Sequence, residues 1–500
     1  MTSIKLLVEK LVPGGLGLAR RDGEVLLLAG ALPGEEVLAE PGEMVRGVRW
    51  AVVREILSPS PFRVEPDCPL AGRCGGCDFL HVDPAAALGL KSEAALGELA
   101  EKSGINIELI ESPLNSRYRS RATVHLDRKD DGSFGIGFYD DHRRLVEFDD
   151  CRLLAPELNG LIAPLRQWAA ALPVEAVGAE ISLLKAEKTE EPFSRNPAES
   201  LEQRHGRDGM EPLRGADSGL AVHFSPPPAP SPTGRGRRPQ AAALSPALLK
   251  ALADLPPLLE AWGRLSSDPA ETVEDHDRFG GVMPLRGVAI FARSGERGRP
   301  RKISAGGPRR LPVAVWPELD LTLCAAPGGF TQVNPAVNKL MVKKILELAA
   351  PLAAGKNPSA LDLYSGLGNI ALPLLKSGFA VTAVEESPDG AAAAKENGRG
   401  LPGLTVVTGR SEQAVDQLVR QGRRFSLAVL DPPRSGARDL APALAALGPE
   451  MIIYVACHPA VLGRDLPGLA SLGYGLRNII ALDMFPRTSH LEALVVLTRP

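Results

Sequence analysis

A thiol and a carboxylate near the carboxyl end of the chain are the side chains best suited to covalent chemistry. Cys457 follows the apolar run Tyr454-Val455-Ala456, which predicts a buried strand of a parallel sheet. The carboxyl ends of such strands are where open α/β sheets bind ligands, and a thiol placed there can act as a nucleophile. A lone cysteine after a strand is more commonly a buried structural residue, so the interpretation depends on the motifs around it.

The carboxylate is Glu492, which stands at the start of the apolar strand pattern 493–497. Partial burial at such a position raises the pKa of a carboxyl group and suits it to accept a proton. Taken alone, the residue is equally compatible with a solvated charge at the edge of a strand.

A glycine turn between a strand and a helix predicts a nucleotide-type site. The turn is Tyr364-Ser365-Gly366-Leu367-Gly368-Asn369, and glycines there let the backbone approach a ligand closely. The next predicted strand ends at Glu385, where a carboxylate can accept hydrogen bonds from ribose hydroxyls. These residues indicate a nucleoside cofactor and leave NAD open. A further strand ends in Asp431-Pro432-Pro433-Arg434, whose prolines make the turn a stiff shelf for a planar substrate.

Together with Gly329-Phe330-Thr331-Gln332-Val333-Asn334, these motifs resemble the RNA uracil-5-methyltransferase family over nearly the whole chain. The resemblance implies S-adenosylmethionine as methyl donor, Cys457 as nucleophile and Glu492 as base. It also places six residues at positions that contact the cofactor or the catalytic pocket, namely Gln332, Tyr364, Gly366, Asn369, Glu385 and Asp431. Two residues depart from the family pattern: His458 replaces the usual Asn, and Arg410 stands where an amide near the adenine is common.

The implied reaction explains these residue types. Carbon 5 of uracil is a poor nucleophile until a thiolate adds to carbon 6, and a base must later remove the proton from carbon 5. Because a free thiol has a pKa near 8.5, activation of Cys457 is expected. His458 and Arg434 are the nearby candidates, and the sequence does not choose between them.

Three further cysteines, Cys68, Cys74 and Cys77, form a C-x5-C-G-G-C run that predicts a metal site, with Cys151 as the candidate fourth ligand. Four thiolates suit zinc or an iron–sulfur cluster, but a zinc ribbon usually shows two C-x2-C pairs. The spacing matches the iron–sulfur ligands of the ribosomal-RNA branch of the family, which favours a structural [4Fe-4S] cluster. Zinc and a metal-free thiol cluster remain the alternatives. Cys324 lies in an apolar strand pattern and is expected to be buried and inert.

Length and composition indicate a chain of several domains with ample core, since 500 residues are 44% hydrophobic and 23% charged. The chain shows no signal sequence and no membrane-spanning stretch, which together with clustered cysteines predicts the reducing cytoplasm. A monomer is the default expectation. Short alternating strands in residues 1–56 resemble a TRAM domain, an OB-type β-barrel. Residues 57–325 are expected to form a mixed central domain, with a disordered Pro- and Arg-rich insertion at about 187–240.

Residues 326–500 predict an α/β fold, a Rossmann-like methyltransferase domain with a doubly wound parallel sheet. Helices are predicted at 388–397, 411–420 and 460–472, and strands at 404–407, 426–430 and 451–455.

The predicted partner is 23S rRNA, although a net charge of −3 requires any RNA-binding surface to be local. The segment 117–121 places Tyr118 among arginines that are suited to base stacking and phosphate contact, and the stretch 293–310 is strongly basic.

Three alternatives stay open. The transfer-RNA branch of the family usually lacks the barrel and the cysteine set, and RNA cytosine-5 enzymes typically carry a cysteine in the loop held here by Asp431. A non-catalytic iron–sulfur RNA-binding protein would leave Cys457 and Glu492 without a role.

Overall fold

The computed structural model describes residues 3–45, 47–172, 179–187, 220–225, 288–292, 301–302, 310–326 and 328–499. Internal contacts divide the chain into two compact units. The first comprises Met1–Asn115, Ala336–Ala391 and Gly403–Pro500, and the second comprises Ser116–Pro335 and Ala392–Pro402. No helix in the part of the chain that the structure describes is long and apolar enough to cross a lipid bilayer.

The amino-terminal part of the first unit is a curled six-stranded sheet in the order β1-β5-β6-β4-β3-β2, consistent with the predicted barrel. Alternate apolar side chains, among them Leu26, Leu28 and Val37, are buried on one face and form its core. The strands are β1 (Ile4–Leu7), β2 (Lys10–Val12), β3 (Leu16–Arg21), β4 (Glu24–Leu28), β5 (Glu36–Val45) and β6 (Val48–Ser58).

The rest of the first unit is built on an eight-stranded sheet in the order β19-β18-β17-β20-β21-β23-β22-β7. Strands β17 to β21 are mutually parallel, and β23 runs antiparallel between β21 and β22. The strands are β7 (Ile107–Ile110), β17 (Ser359–Leu363), β18 (Ala380–Glu385), β19 (Leu404–Thr408), β20 (Leu427–Leu430), β21 (Met451–Ala456), β22 (Gly475–Leu482) and β23 (Glu492–Thr498).

Helices cover both faces of this sheet, as expected when parallel strands alternate with helices. They are α1 (Pro84–Ser103), α4 (Pro335–Ala353), α5 (Ala371–Lys376), α6 (Pro388–Asn397), α7 (Ser411–Arg420), α8 (Ala441–Leu447) and α9 (Leu462–Ala470). The predicted helices 388–397 and 411–420 coincide with α6 and α7, while the predicted helix 460–472 is shorter at both ends. The parallel sheet alternating with helices therefore forms as the sequence predicts.

One strand of this sheet comes from a region that the sequence assigned elsewhere. The strand β7 pairs with β22 in parallel, and Glu108 on β7 forms an ion pair of 2.6 Å with Lys344 of α4. Residues 84–110 therefore belong to the first unit, whereas the sequence placed them in the central region. A strand of four residues has too little pattern to indicate its partner.

The second unit contains a seven-stranded sheet in the order β10-β9-β8-β11-β12-β13-β14 and the hairpin β15-β16. Its strands are β8 (Arg121–Arg128), β9 (Phe134–Tyr139), β10 (Leu145–Glu147), β11 (Ala179–Lys185), β12 (Leu220–Ser225), β13 (Val288–Ala292), β14 (Arg301–Lys302), β15 (Leu311–Trp316) and β16 (Leu321–Ala325), and its helices are α2 (Pro156–Asn159) and α3 (Ile162–Ala170). β12 lies inside the stretch predicted to be disordered, so the prediction is wrong for residues 220–225. Most of the remaining 187–240 segment lies outside the described residues.

A buried carboxylate, Glu35, fastens the amino-terminal sheet to the chain that follows it. Its oxygens accept hydrogen bonds from the backbone N–H of Leu32 (2.8 Å) and Ser60 (3.1 Å) and pair with the guanidinium of Arg63. Although burial raises the pKa of Glu35, these donors hold it below its usual range. The charge is therefore retained inside the protein because each oxygen has partners.

We expect Glu35→Ala to loosen the amino-terminal sheet, because it leaves a guanidinium and two N–H groups without their acceptor. Removing one partner of a buried ion pair costs about 3–5 kcal/mol. Hydrogen exchange should speed up in β1–β6 while β17–β21 remain protected. Glu36→Ala is the matched control, since Glu36 forms only an exposed pair with Lys5. Equal exchange in the two variants would contradict this role of Glu35.

Candidate active site

Strand register brings the predicted site residues of the first unit to one edge of the eight-stranded sheet. Leu363 of β17 is paired with Leu430 of β20 and with Val384 of β18. The residues that follow these three positions are Tyr364, Asp431 and Glu385. They therefore emerge together at the carboxyl edge of the parallel strands, where such sheets bind ligands.

The antiparallel strand β23 places Glu492 beside Cys457. Ala456 at the end of β21 is paired with Ala493. Cys457 follows Ala456 and Glu492 precedes Ala493, so the register brings these two residues opposite each other, and the charge of Glu492 acts on the Cys457 thiol. Neighbouring positions in an antiparallel pair lie about 4.5–5.5 Å apart between Cα atoms. The predicted nucleophile and the predicted base are thus adjacent in space although they are far apart in sequence.

Electrostatics in this pocket are dominated by burial and by negative charge. Glu492 is 2% exposed, and burial followed by the charge of Asp431 raises its pKa well above the usual range. Burial also raises the pKa of Asp431 to about 7. Two carboxyl groups in such a setting resist being ionised together, so the pair is suited to hold and release a proton near neutral pH.

The same environment keeps Cys457 protonated in the free protein. Burial, then Glu492 and Asp431, raise the pKa of the thiol to about 11, while Arg434 lowers it. Of the two predicted activating residues, Arg434 is therefore the one whose charge favours the thiolate. His458 is exposed next to the nucleophile.

The glycine loop after β17 has the backbone geometry of a ligand-binding turn. Gly366 (φ +58°) and Tyr364 (φ +62°) are left-handed, and the N–H of Gly366 donates to Glu385 Oε2 at 2.8 Å. A Cβ added at Gly366 would meet nothing within 4 Å, so the loop borders open space. Burial raises the pKa of Tyr364 to about 12, which leaves its hydroxyl neutral.

Asn369 of this loop has a partner that the sequence did not reveal. Its side-chain amide exchanges two hydrogen bonds, of 2.8 and 2.9 Å, with the amide of Asn338 on α4. Asn338 is 3% exposed. A reciprocal amide pair fixes the orientation of both groups, so Asn338 orients the end of the glycine loop.

A second residue missed by sequence reasoning, Asp465 of α9, braces the Asp-Pro-Pro loop. Asp465 is 2% exposed and its Oδ2 accepts hydrogen bonds from the Tyr454 hydroxyl (2.7 Å) and the Ala437 N–H (2.7 Å). Tyr454 lies on β21, three residues before Cys457, and Ala437 lies shortly after Arg434. One carboxylate thus connects the strand that carries the thiol to the loop that carries Asp431. A buried acid on a helix gives no sign in the sequence of the partners it will find.

The three clustered cysteines lie on one partly exposed loop of the first unit, whereas Cys151 belongs to the second unit. The Gly76 N–H donates to Cys74 Sγ at 3.4 Å, and Gly72 is left-handed. In the second unit the backbone of Cys151 is fixed by Asn159, whose amide bonds both its N–H and its carbonyl. Within the described ranges, no three His, Cys, Asp or Glu side chains are arranged as a metal-ligand group.

The predicted stacking role of Tyr118 is wrong, because Tyr118 is 4% exposed and its ring lies in the core of the second unit. Alternation along the chain points it inward, and neighbouring Arg117 forms an ion pair with Asp150. An exposed ring is instead supplied by Phe330, which is 68% exposed with the Arg121 guanidinium 5.3 Å from its centroid.

Two further predicted residues, Gln332 and Cys324, lie in the second unit. Gln332 is partly buried there, and Cys324 is buried as expected, its carbonyl accepting hydrogen bonds from Arg310 (2.7 Å) and Asn397 (3.1 Å). Arg310 of the predicted basic stretch is thus occupied within the unit. Except for β14, the rest of residues 293–309 lies outside the described residues.

Comparison with solved structures identifies the fold class. The chain is similar to Pyrococcus abyssi tRNA (uracil-54, C5)-methyltransferase in complex with S-adenosyl-L-homocysteine, with a TM-score of 0.63, 21% identity and coverage of 99% of this chain and 100% of that one. At this identity the likeness shows the fold alone, and it confirms the predicted methyltransferase fold.

Sequence comparison identifies the family. The chain is 30% identical to the 23S rRNA (uracil(1939)-C(5))-methyltransferase RlmD of Alkalilimnicola ehrlichii, covering 97% of this chain and 94% of that protein. It is 31% identical to the protein of the same name from Halomonas elongata, covering 99% and 89%. No model of a protein family matches the chain. The chain belongs to the 23S rRNA uracil-C5-methyltransferase family, and the predicted enzyme class, an RNA methyltransferase, is confirmed.

The raised pKa of Cys457 predicts the pH dependence of its alkylation in the free protein. Below a pKa of about 11 the thiolate fraction grows with pH. The rate should therefore rise about tenfold per unit between about pH 7 and pH 10 without a plateau. Peptide mass spectrometry after iodoacetamide treatment can follow Cys457 separately from the other cysteines. A plateau near pH 8 would contradict the burial argument.

Removal of the Asp465 carboxylate should weaken both the fold and the site. Asp465→Ala leaves the buried Tyr454 hydroxyl and the Ala437 N–H unpaired, and each such group costs about 1–3 kcal/mol. We expect a lower urea midpoint and a weaker retention of RNA. Tyr454→Phe, which removes only the hydroxyl, is the control and should show a smaller effect. An unchanged midpoint in Asp465→Ala would rule out the brace.

Proposed function

We propose that this protein transfers the methyl group of S-adenosylmethionine to carbon 5 of a uridine in 23S rRNA. The observation that carries the proposal is the position of Cys457 and Glu492 next to the paired residues Ala456 and Ala493, at the ligand-binding edge of the sheet. Family membership supports ribosomal RNA as the substrate. Because the relatives are named for uridine 1939, we propose the equivalent uridine here.

The proposed reaction begins with Cys457. The thiol first gives up its proton to solvent. Its Sγ then forms a bond to carbon 6 of the uracil, and the electrons of the 5,6 double bond move onto carbon 5 and the carbonyl at position 4. Carbon 5 then takes the methyl group, and S-adenosylhomocysteine is released. Glu492 removes the proton from carbon 5, the electrons restore the double bond, and the thiolate leaves.

The charges of the pocket suit this sequence of steps. Glu492 is buried with a raised pKa, so its carboxylate is a stronger proton acceptor than a solvated one. Asp431, whose pKa is raised to about 7, stands next to it and can share the proton it takes. The target base must leave its stack to reach a pocket at the edge of the sheet.

We propose that S-adenosylmethionine binds over the glycine loop. Gly366 borders open space, and Glu385, Tyr364 and Asp431 emerge at the same edge. Asn369 follows on the same loop, and Gln332 of the second unit is proposed as a further contact. When bound, the cofactor supplies an electrophilic methyl group and a positive sulfonium charge.

For the cysteine loop we propose a [4Fe-4S] cluster held by Cys68, Cys74, Cys77 and Cys151. The partly exposed thiols and the N–H···S bond at Cys74 suit thiolate ligands. The described residues do not gather three of these thiols into a ligand group. Methyl transfer needs no electron, so the proposed role of the cluster is structural. Iron and zinc analysis after anaerobic purification tests the assignment, and a colourless protein with stoichiometric zinc would overturn it.

We propose that residues 1–56 are a TRAM domain of OB type, followed by a central domain to residue 325 and the methyltransferase domain from residue 326. Residues 84–110 are excepted from the central domain, because their helix and strand belong to the first unit. We further propose that the protein works as a cytoplasmic monomer. The curled amino-terminal sheet supports single-stranded RNA as the substrate partner, because OB-type barrels bind such RNA.

The substrate is tested by labelled methyl transfer from S-adenosylmethionine to 23S rRNA and to tRNA transcripts, with mapping of any 5-methyluridine. We expect a single labelled uridine in 23S rRNA and none in tRNA. Label in tRNA alone would keep the chemistry and overturn the substrate. Absence of label from both would overturn the proposed activity.

The two central residues should fail at different steps. Cys457→Ala should abolish turnover and prevent any covalent complex with RNA. Glu492→Gln should lower turnover by about 100- to 10,000-fold and accumulate methylated RNA attached to the enzyme. Denaturing gels with labelled RNA separate the two outcomes. Cys324→Ala is the matched cysteine control and should retain activity, and appreciable turnover by Cys457→Ala would exclude the mechanism.

A further inference from the structure

The cysteine loop, residues 68–77, is fastened at both ends to the chain segment that precedes Glu492. Asp78 follows the loop, and its carboxylate accepts hydrogen bonds from the Ser489 N–H (2.7 Å) and the Ser489 hydroxyl. Asp67 precedes the loop and forms an ion pair with Arg487. The loop therefore does not hang free at the surface of the first unit.

Further hydrogen bonds and close packing strengthen the attachment. The N–H of Phe79 donates to the carbonyl of Arg487 at 3.2 Å, and the Arg487 Nε donates to the carbonyl of Asn115 at 2.8 Å. Gly15 of the amino-terminal sheet packs so closely here that an added Cβ would lie 2.7 Å from the Ser489 Cβ and 2.9 Å from the Phe79 ring. Several elements therefore converge on residues 487–489.

This segment, residues 483–491, connects β22 to β23. The Thr488 hydroxyl donates to the Phe485 carbonyl at 2.9 Å and accepts from the His490 N–H at 3.3 Å. At its start, Asp483 forms a buried ion pair of 2.6 Å with Lys91 of α1. Glu492 follows this segment directly and is only three residues from Ser489. A displacement of Ser489 is therefore expected to move the Glu492 carboxylate as well.

We propose that Asp78 and Asp67 are positioning residues for Glu492, acting through Ser489 and Arg487. This inference rests on the proposed role of Glu492 as the base. Asp67 is half-exposed, and exposed ion pairs contribute little, so Asp78 has the larger part. The residues that flank the cysteine loop therefore affect the removal of the proton from carbon 5, and not the attack by Cys457.

Trapping of the RNA separates these two steps. With 5-fluorouridine RNA, the adduct forms through Cys457 and cannot be released, because carbon 5 carries no removable proton. With ordinary uridine RNA, a stable adduct accumulates only when proton removal is slow. The ratio of the two signals therefore reports on Glu492 and is insensitive to a general loss of folded protein.

We expect Asp78→Ala to lower turnover by about 100-fold, the effect of misplacing a catalytic group by about 1 Å. Its adduct with ordinary RNA should accumulate, while its rate of adduct formation with 5-fluorouridine RNA stays within about twofold of the unaltered protein. Asp67→Ala should show the same pattern more weakly. Glu101→Ala changes an exposed acid on α1 and is the control, with turnover and adduct formation expected to equal those of the unaltered protein. All variants are compared at equal iron and zinc content per chain.

Ser489→Ala keeps the test valid if Asp78→Ala does not fold, because it removes only the hydroxyl donor and leaves the N–H. It should show the same adduct pattern at a smaller loss of turnover. Unchanged turnover in the folded aspartate variants, or a parallel loss of both adduct formation and turnover, would overturn the positioning role. Failure of the unaltered protein to form any adduct with 5-fluorouridine RNA would instead overturn the proposed function.

Discussion

The site depends on keeping two carboxyl groups, Glu492 and Asp431, close together at a poorly hydrated edge of a sheet. Burial raises the pKa of both, and the charge of Asp431 raises that of Glu492 further. Two such groups can avoid their repulsion by moving apart or by taking up a proton, and a backbone that fixes their positions leaves only the proton. Here the hydrogen bonds of β20, β21 and β23 hold the two positions, with Cys457 next to them. The rigidity of the central strands is therefore a requirement of the chemistry as well as of the fold.

The direction of β23 decides which residues meet. In the parallel strands the last residues lie at the ligand-binding edge, whereas in an antiparallel neighbour the first residue lies there. This explains why the thiol follows an apolar run and the carboxylate of Glu492 precedes one. If β23 were parallel, its first residue would lie at the opposite edge of the sheet, and Cys457 would have no acid beside it.

The features that could be predicted from the sequence are those that depend on residues close together in the chain. The spacing of apolar residues predicts the helices α6 and α7. The run of four or more apolar residues before Cys457 predicts that this thiol lies at the end of a strand. Asp465 and Asn338 escaped prediction because their partners are distant in sequence and an isolated polar residue on a helix has no periodic signature. The prediction for Tyr118 was wrong because the signal used was too local. Its arginine neighbours indicated an exposed ring, but the ring packs inside the protein.

The segment 483–491 shows how the amino-terminal region takes part in the site before any RNA is bound. Arg487 adopts a left-handed backbone (φ +65°), which costs a non-glycine residue on the order of 1–2 kcal/mol. Its own sequence does not favour this turn, so outside contacts must hold it. The buried pair Lys91–Asp483 fixes one end, and the flanks of the cysteine loop fix the middle. A turn held from outside keeps its shape only while those elements are in place. The position of Glu492, the proposed base, is therefore expected to depend on the folding of residues that are far from it in sequence.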